Sequence, residues 1–129
     1  MKVLLDANAL MVPEQMGVDI FAELERLGYF RYLVPSPVEK ELKALTTFAD
    51  SGKDRLAAKI GLGLLSRCEL VQDENVADQA LLELAPRLDA AVFTNDKELK
   101  KKLSSKGVTV IHLRQKQYLE TASGRSFDV

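Results

Sequence analysis

Four acids in this chain stand where solvation alone does not account for them. Asp6 ends the apolar run Val3-Leu4-Leu5, and Asp96 follows the run Ala-Ala-Val-Phe by way of Thr94 and Asn95. Glu41 and Asp78 come early in two stretches with helical patterning, which open near Ser36 and Asn75. In the first stretch Val38, Leu42 and Leu45 mark an apolar stripe. At about 100° per residue, Glu41 falls about 60° from Val38, while Glu39, Lys40 and Lys43 point further away. Asp78 flanks the stripe Ala77, Leu81, Leu84, Ala85, Leu88 by a similar angle. Each acid alone has a plainer reading: Asp6 as a helix cap, Asp78 and Asp96 as first-turn acids favoured by the helix dipole. Glu41 is harder to place that way, because a carboxylate beside a core stripe is costly unless it is paired.

Brought together, four carboxylates repel one another, and some take up protons rather than stay charged. A divalent cation removes that conflict. An all-oxygen set without His or Cys fits Mg²⁺ or Mn²⁺ better than Zn²⁺. Pockets of this kind position water and neutralise charge on a phosphate, so the chemistry expected is hydrolysis of a phosphodiester or phosphate.

What must position these groups is a sheet with one active edge. Residues 3–5, 30–35, 68–71, 90–93 and 108–113 read as five short strands. Helical patterns lie between them, near 18–27, 36–48, 53–67, 75–88 and 96–105. Pro13 and Gly17 are expected to interrupt any helix over residues 9–17. Ser36 is expected as a cap with Pro37 at the first helical position and Glu39 closing a capping box. Leu56, Ile60 and Leu64 are expected as the buried face of the helix from Lys53. Strands alternating with helices predict an α/β protein, a three-layer α/β/α domain around a mostly parallel, roughly five-stranded sheet. Strand C-termini and the following helix N-termini share one edge of such a sheet, so all four acids should meet there. The domain is expected over residues 1–116, with residues 117–129 as a loose C-terminal tail.

Composition narrows the class. With 129 residues the chain has room for one substantial core, and 47% hydrophobic with 29% charged residues is ordinary for a globular protein. No apolar run reaches the roughly 20 residues of a membrane span, and the N-terminus lacks a signal-peptide pattern, so a cytoplasmic location away from membranes is expected. A single cysteine, Cys68, leaves no internal disulfide and no cysteine-built zinc site. The net charge of −1 gives no global basic field, so a polyanionic partner would need local lysines or bound metal.

These residues resemble the PIN-domain ribonucleases over roughly 1–116. The match lies in LLDAN around Asp6, VEKEL around Glu41, VADQALLELA around Asp78 and FTNDKELKKKL around Asp96. The stretches MVPEQMGVDIFAELERL and TNDKELKKKL look like the archaeal–eukaryotic branch, which includes VapC-like proteins and nucleases of small-subunit rRNA processing. The resemblance implies that Asp6, Glu41, Asp78 and Asp96 bind Mg²⁺ or Mn²⁺ and are catalytic, with Asn8 and Thr94 supporting the pocket. It also implies endoribonuclease activity on RNA, frequent homodimers, and either a small antitoxin or a pre-ribosomal particle as partner. Gln79 stands where some relatives carry a further acid, a departure that bears on a second metal. The zinc ribbon of one rRNA-processing relative is absent.

Lys97, Lys100, Lys101, Lys102 and Lys106 make the helix after Asp96 basic. A solvated face explains this, but Lys97 and Lys100 are the candidates for RNA phosphate contact. His112 is read as structural and Cys68 as a small buried apolar group. Tyr29, Phe30 and Tyr32 are read as core or dimer contacts. An aspartate-nucleophile phosphatase would need a second Asp where Asn8 stands. The alternative that remains is a catalytically inactive PIN-like module that binds RNA or protein.

Overall fold

The computed structural model describes residues 1–122. It has strands β1 (Lys2–Leu5), β2 (Arg31–Pro35), β3 (Glu69–Val71), β4 (Ala90–Phe93), β5 (Val110–Arg114) and β6 (Tyr118–Ala122). Its helices are α1 (Ala7–Met16), α2 (Ile20–Arg26), α3 (Ser36–Phe48), α4 (Gly52–Gly63), α5 (Ala77–Leu88) and α6 (Lys97–Ser105), and a 3₁₀ turn, Leu64–Arg67, follows α4. One sheet runs β3-β2-β1-β4-β5-β6; its first five strands are parallel and β6 is antiparallel to β5. Val3, Leu4 and Leu5 of β1 have no exposed surface, and all of β4 is buried, so helices cover both faces of the centre. This is the α/β three-layer arrangement the alternation implied, with one strand more than expected.

The extra strand is β6. The tail expected from residue 117 pairs with β5 from Arg114↔Tyr118 to Val110↔Ala122; residues 123–129 of that tail lie outside the described residues. Leu119 is fully buried. The open edge of β6 is occupied by side chains of α2: Glu23 Oε1 accepts from Leu119 N at 2.9 Å, and Arg26 Nη2 donates to Leu119 O at 2.8 Å. An ion pair between Arg26 and Glu23 at 3.0 Å completes the clamp, which leaves Leu119 with no free backbone group to recruit another strand.

Three local expectations are corrected. Helix α1 runs straight through Pro13 and stops at Gly17, whose φ of 69° is left-handed. An interior proline costs about 3 kcal/mol. Burial of Ala9, Leu10, Met11 and Val12, each worth up to about 1.5–3 kcal/mol when large, outweighs it. In α4 the buried residues are Ala57, Ala58 and Gly61, while Leu56 and Ile60 are exposed. The physical reason is close approach: a Cβ on Gly61 would lie 2.9 Å from the Leu10 carbonyl oxygen, so α1 and α4 pack through small residues. Ser36 is the first residue of α3 rather than its cap; Pro35 precedes the helix, and the Ser36 hydroxyl is engaged with the backbone of Asp73.

Candidate active site

Each candidate acid follows a parallel strand. Asp6 comes directly after β1 and caps α1, its Oδ1 accepting from Ala7 N at 2.8 Å. Glu41 is in the second turn of α3, which leaves β2 without an intervening loop. Asp78 is the second residue of α5, after β3. Asp96 caps α6 after β4, its Oδ1 accepting from Glu98 N at 2.9 Å and Leu99 N at 3.1 Å. Because β3, β2, β1 and β4 are adjacent and parallel, all four acids lie at one edge of the sheet.

The centre of the arrangement is rigid. Asp6 and Thr94 are the buried polar residues of the described chain. Thr94 Oγ1 donates to Asp6 Oδ2 at 2.7 Å, and Asn8 Nδ2 donates to the same oxygen at 2.9 Å. Asn8 Oδ1 accepts from Asn95 N at 2.9 Å, Thr94 Oγ1 accepts from Asp96 N at 3.1 Å, and Asn95 Oδ1 accepts from Leu113 N at 2.8 Å. One network therefore joins the ends of β1, β4 and β5. Asn95 is the residue that sequence reasoning missed; its signal was an asparagine two residues beyond a fully buried strand, where a side chain must replace lost ladder bonds.

Electrostatics show which acids sense one another. Burial holds the Asp6 carboxyl above the usual carboxylate range, opposed by the Thr94 and Ala7 hydrogen bonds and reinforced by the charges of Asp78 and Asp96. Glu41 is raised by desolvation and then by Asp6, Asp78 and Asp96. The angular argument for Glu41 is corrected in one respect: its surface is largely open, while Glu39 is the more covered acid of α3 and pairs with Lys43 at 4.0 Å. The helix rests on both the sheet and α4, so its covered arc is wider than the stripe of three residues. What sets Glu41 apart is desolvation of its carboxyl together with the field of the other three acids. Among the described residues none of the four makes an ion pair, and no three ligating side chains stand ready-made as a cation cage.

A profile of the PIN-like domain matches residues 3–116. The chain belongs to the PIN-like domain family. Ribonuclease VapC9 of Archaeoglobus fulgidus is 34% identical over 110 residues, 85% of this chain and 81% of that protein. Ribonuclease VapC4 of Methanocaldococcus jannaschii is 35% identical over 124 residues, 92% of this chain and 95% of that one. The fold is also that of the PIN domain endonuclease Utp24, with a TM-score of 0.74 at 21% identity, covering 99% of this chain and 94% of that one.

The basic candidates separate on the PIN fold. Lys97 is exposed beside Asp96 at the start of α6. Lys100 is half-buried, with Nζ 3.5 Å from His112 Nδ1, and Glu120 lies 3.6 Å from His112 Nε2 and 3.5 Å from Arg114 Nη1. Burial, then Lys100, pulls the His112 pKa below its ordinary value, with Glu120 opposing. His112 thus links α6 to the β5–β6 hairpin. Cys68 is half-buried, and its thiol is pushed up to about 11 by burial. Tyr29 is buried and Tyr32 packs edge-on against Phe21 at 4.8 Å, whereas Phe30 is exposed.

Proposed function

We propose that this chain is a metal-dependent endoribonuclease of the VapC type that hydrolyses RNA phosphodiester bonds. The observation that carries the reading is that four acids lie at one edge of the sheet and Asp6 and Glu41 feel the charges of the others, with no ion-pair partner for any of the four among the described residues. The donor set fits Mg²⁺ or Mn²⁺: it is all oxygen, and Asp6 and Glu41, raised first by burial, are raised further by the neighbouring acids, a repulsion that a hard divalent cation relieves. An ionised carboxylate offers about four acceptor sites. Asp6 has three of its own engaged by Ala7, Asn8 and Thr94.

Asp6, Glu41, Asp78 and Asp96 would hold the cation, which when bound supplies charge neutralisation at the phosphate and a more acidic water. Thr94 and Asn8 orient Asp6 so that its carboxylate cannot rotate. Asp96 spends Oδ1 on the α6 cap, which aims the remaining oxygen and fixes the helix on which Lys97 stands. Lys97 contacts the RNA backbone and carries no chemistry of its own. Of the two roles that the resemblance implies, the VapC type is favoured because relatives at 34% and 35% identity bear that name, while the likeness to Utp24 at 21% concerns fold. A homodimer and a small antitoxin belong to this reading. The deciding experiment incubates the purified chain with unstructured RNA and Mn²⁺. Cleavage that EDTA and Asp78→Asn both abolish supports the proposal; intact RNA in every case refutes it and leaves a binding module.

A further inference from the structure

We propose that the tip of the β5–β6 hairpin, residues 114–118, is a second contact for single-stranded RNA, holding the backbone beyond the acids through Arg114 and Lys116. The inference rests on the ribonuclease reading and adds the surface over which the strand leaves the acids. Strand order sets the position. Asp6 follows β1 and Asp96 follows β4, and β5 is the next parallel neighbour, so its end reaches the same edge on the side of Asp96 away from Asp6. Phe93 at the end of β4 pairs with Ile111, and β5 runs on to Arg114. At about 3.3 Å per residue, that overrun carries the tip about 10 Å past the last pair. The base of the tip is tied to the acid site, since Leu113 N donates to Asn95 Oδ1 at 2.8 Å.

The edge changes sign at this point. Arg114, Gln115, Lys116, Gln117 and Tyr118 are all exposed. Lys100 Nζ lies 3.5 Å from His112 Nδ1, which sets α6 against β5. One turn back along α6 toward the acids stands Lys97, and two residues on along β5 stands Arg114, so the two cations flank the same stretch of edge. Two acids stand among them. Glu120 is engaged by Arg114 at 3.5 Å and by His112 at 3.6 Å, and its Oε2 is buried. Glu98 lies about 100° round α6 from Lys97. Lys97, Lys101 and Lys116 are exposed and make no ion pair among the described residues. A chain of net charge −1 thus gathers these three lysines and Arg114 next to its row of carboxylates.

The turn itself favours its side chains over its backbone. Gln117 N donates to Arg114 O at 3.1 Å, and Gln115 and Lys116 have φ of 53° and 58°. Consecutive left-handed residues favour Asn-Gly or Gly-Gly, and glycine would hold this backbone without strain. Glutamine and lysine instead put an amide and a cation into solvent, and strain kept in this way marks a contact surface. Arg114 and Tyr118 are cross-strand partners and so share one face of the hairpin. Cations interleaved with amides and an aromatic ring match single-stranded RNA, which offers phosphates together with bases that stack and hydrogen-bond. An acidic peptide would satisfy the cations alone.

The test titrates the metal-free chain with an unstructured oligouridylate at several salt concentrations, and repeats the titration with polyglutamate as competitor. The double variant Gln115→Asn, Lys116→Gly gives the turn its favoured residues and removes one cation. It should melt no lower than wild type, yet bind the RNA several-fold more weakly with the salt slope reduced by about 1. Arg114→Gln should weaken binding further. A double variant with the wild-type affinity and salt slope, a wild type that binds no RNA, or polyglutamate that displaces the RNA at equal charge overturns the contact. Cleavage in Mn²⁺ distinguishes the two readings. Wild type that cuts RNA while the double variant binds it unchanged removes the hairpin contact and keeps the nuclease. Hairpin-dependent binding without any cleavage by wild type does the reverse.

Discussion

The Thr94 hydroxyl donates to Asp6 Oδ2 at 2.7 Å, joining residues 88 apart in the chain. The contact ties the ends of the two central strands, and it is the largest influence favouring the charged form of a carboxyl that burial otherwise disfavours. Replacing Thr94 by Val keeps the volume and removes the donor. The loss of a buried hydrogen bond to a charged group costs about 1.5–3 kcal/mol. Urea unfolding of Thr94→Val should show a lower midpoint with an unchanged slope, and Thr94→Ser should recover most of the loss. A Thr94→Val variant as stable as wild type would mean that Asn8 and Ala7 suffice to hold Asp6.

Glu41 gives a sign-reversing test. Its folded pKa lies above its unfolded value, so the folded chain holds this proton more tightly than the unfolded chain. Its contribution favours folding below the raised value and declines as pH climbs from about the ordinary 4.5 through it, leaving a deficit at neutral pH. Glu41→Gln should therefore stabilise the metal-free chain at pH 7, by only about a few tenths of a kcal/mol because the group is exposed and screened. With Mn²⁺ the order should invert. A ligand at 100 times its Kd stabilises the folded state by about 2.7 kcal/mol. Thermal melts should show that rise in wild type and a smaller one in Glu41→Gln. An identical Mn²⁺ shift in both proteins would remove Glu41 from the metal site.

Two glycines of α4 should respond oppositely to the same change. A Cβ at Gly61 meets the Leu10 carbonyl oxygen at 2.9 Å, whereas one at Gly63 meets nothing within 4 Å. Gly61→Ala must push α1 from α4, an overpacking cost of about 1–3 kcal/mol. Gly63 has φ −61° and ψ −27°, ordinary helical values, so Gly63→Ala should stabilise by about 0.4–1 kcal/mol. Equilibrium unfolding of the two variants decides it: equal shifts of either sign would contradict the close α1–α4 packing.

Sequence reasoning succeeded where two-sided burial or topology alone decides, and failed where a tertiary contact such as Gly61 against Leu10 decides. Strands β1 and β4 were legible because they are buried on both faces and read as unbroken apolar runs. The shared edge of the four acids was legible because parallel topology alone carries strand ends to one side of the sheet. The burial of α4 was not legible, since hydrophobicity points to Leu56 and Ile60 while proximity to α1 selects Ala57, Ala58 and Gly61. Strand β6 was missed because its anchor is tertiary: Leu119 is held by Glu23 and Arg26 from the far end of the sequence. Helix α1 was missed because a proline penalty is local and its compensation by burial is not. The Asn8–Asn95–Leu113 relay has no periodic signature, as polar groups beyond strand ends pair by geometry rather than spacing.

Substitutions at Asp96 and Lys97 should separate holding the metal from holding the RNA. Asp96 both caps α6 and stands among the acids, so the choice of substitution matters. Asn caps about as well as Asp, whereas Ala at such a position costs about 1 kcal/mol. Asp96→Asn should therefore keep wild-type stability, abolish cleavage, and bind RNA at least as tightly, because it removes a negative charge beside the phosphate path. Lys97 is exposed one residue away and, unlike Lys100 with its His112 contact, reaches solvent freely. Lys97→Ala should lower affinity for every RNA alike and reduce the salt slope by about 1. Its cleavage rate at saturating RNA should fall much less than its affinity. Single-turnover cleavage beside binding titrations at several salt concentrations measures both quantities. An Asp96→Asn variant that still cuts would take Asp96 out of the site and leave it as a cap. A Lys97→Ala variant with the wild-type salt slope would make the basic helix a solvated face and nothing more.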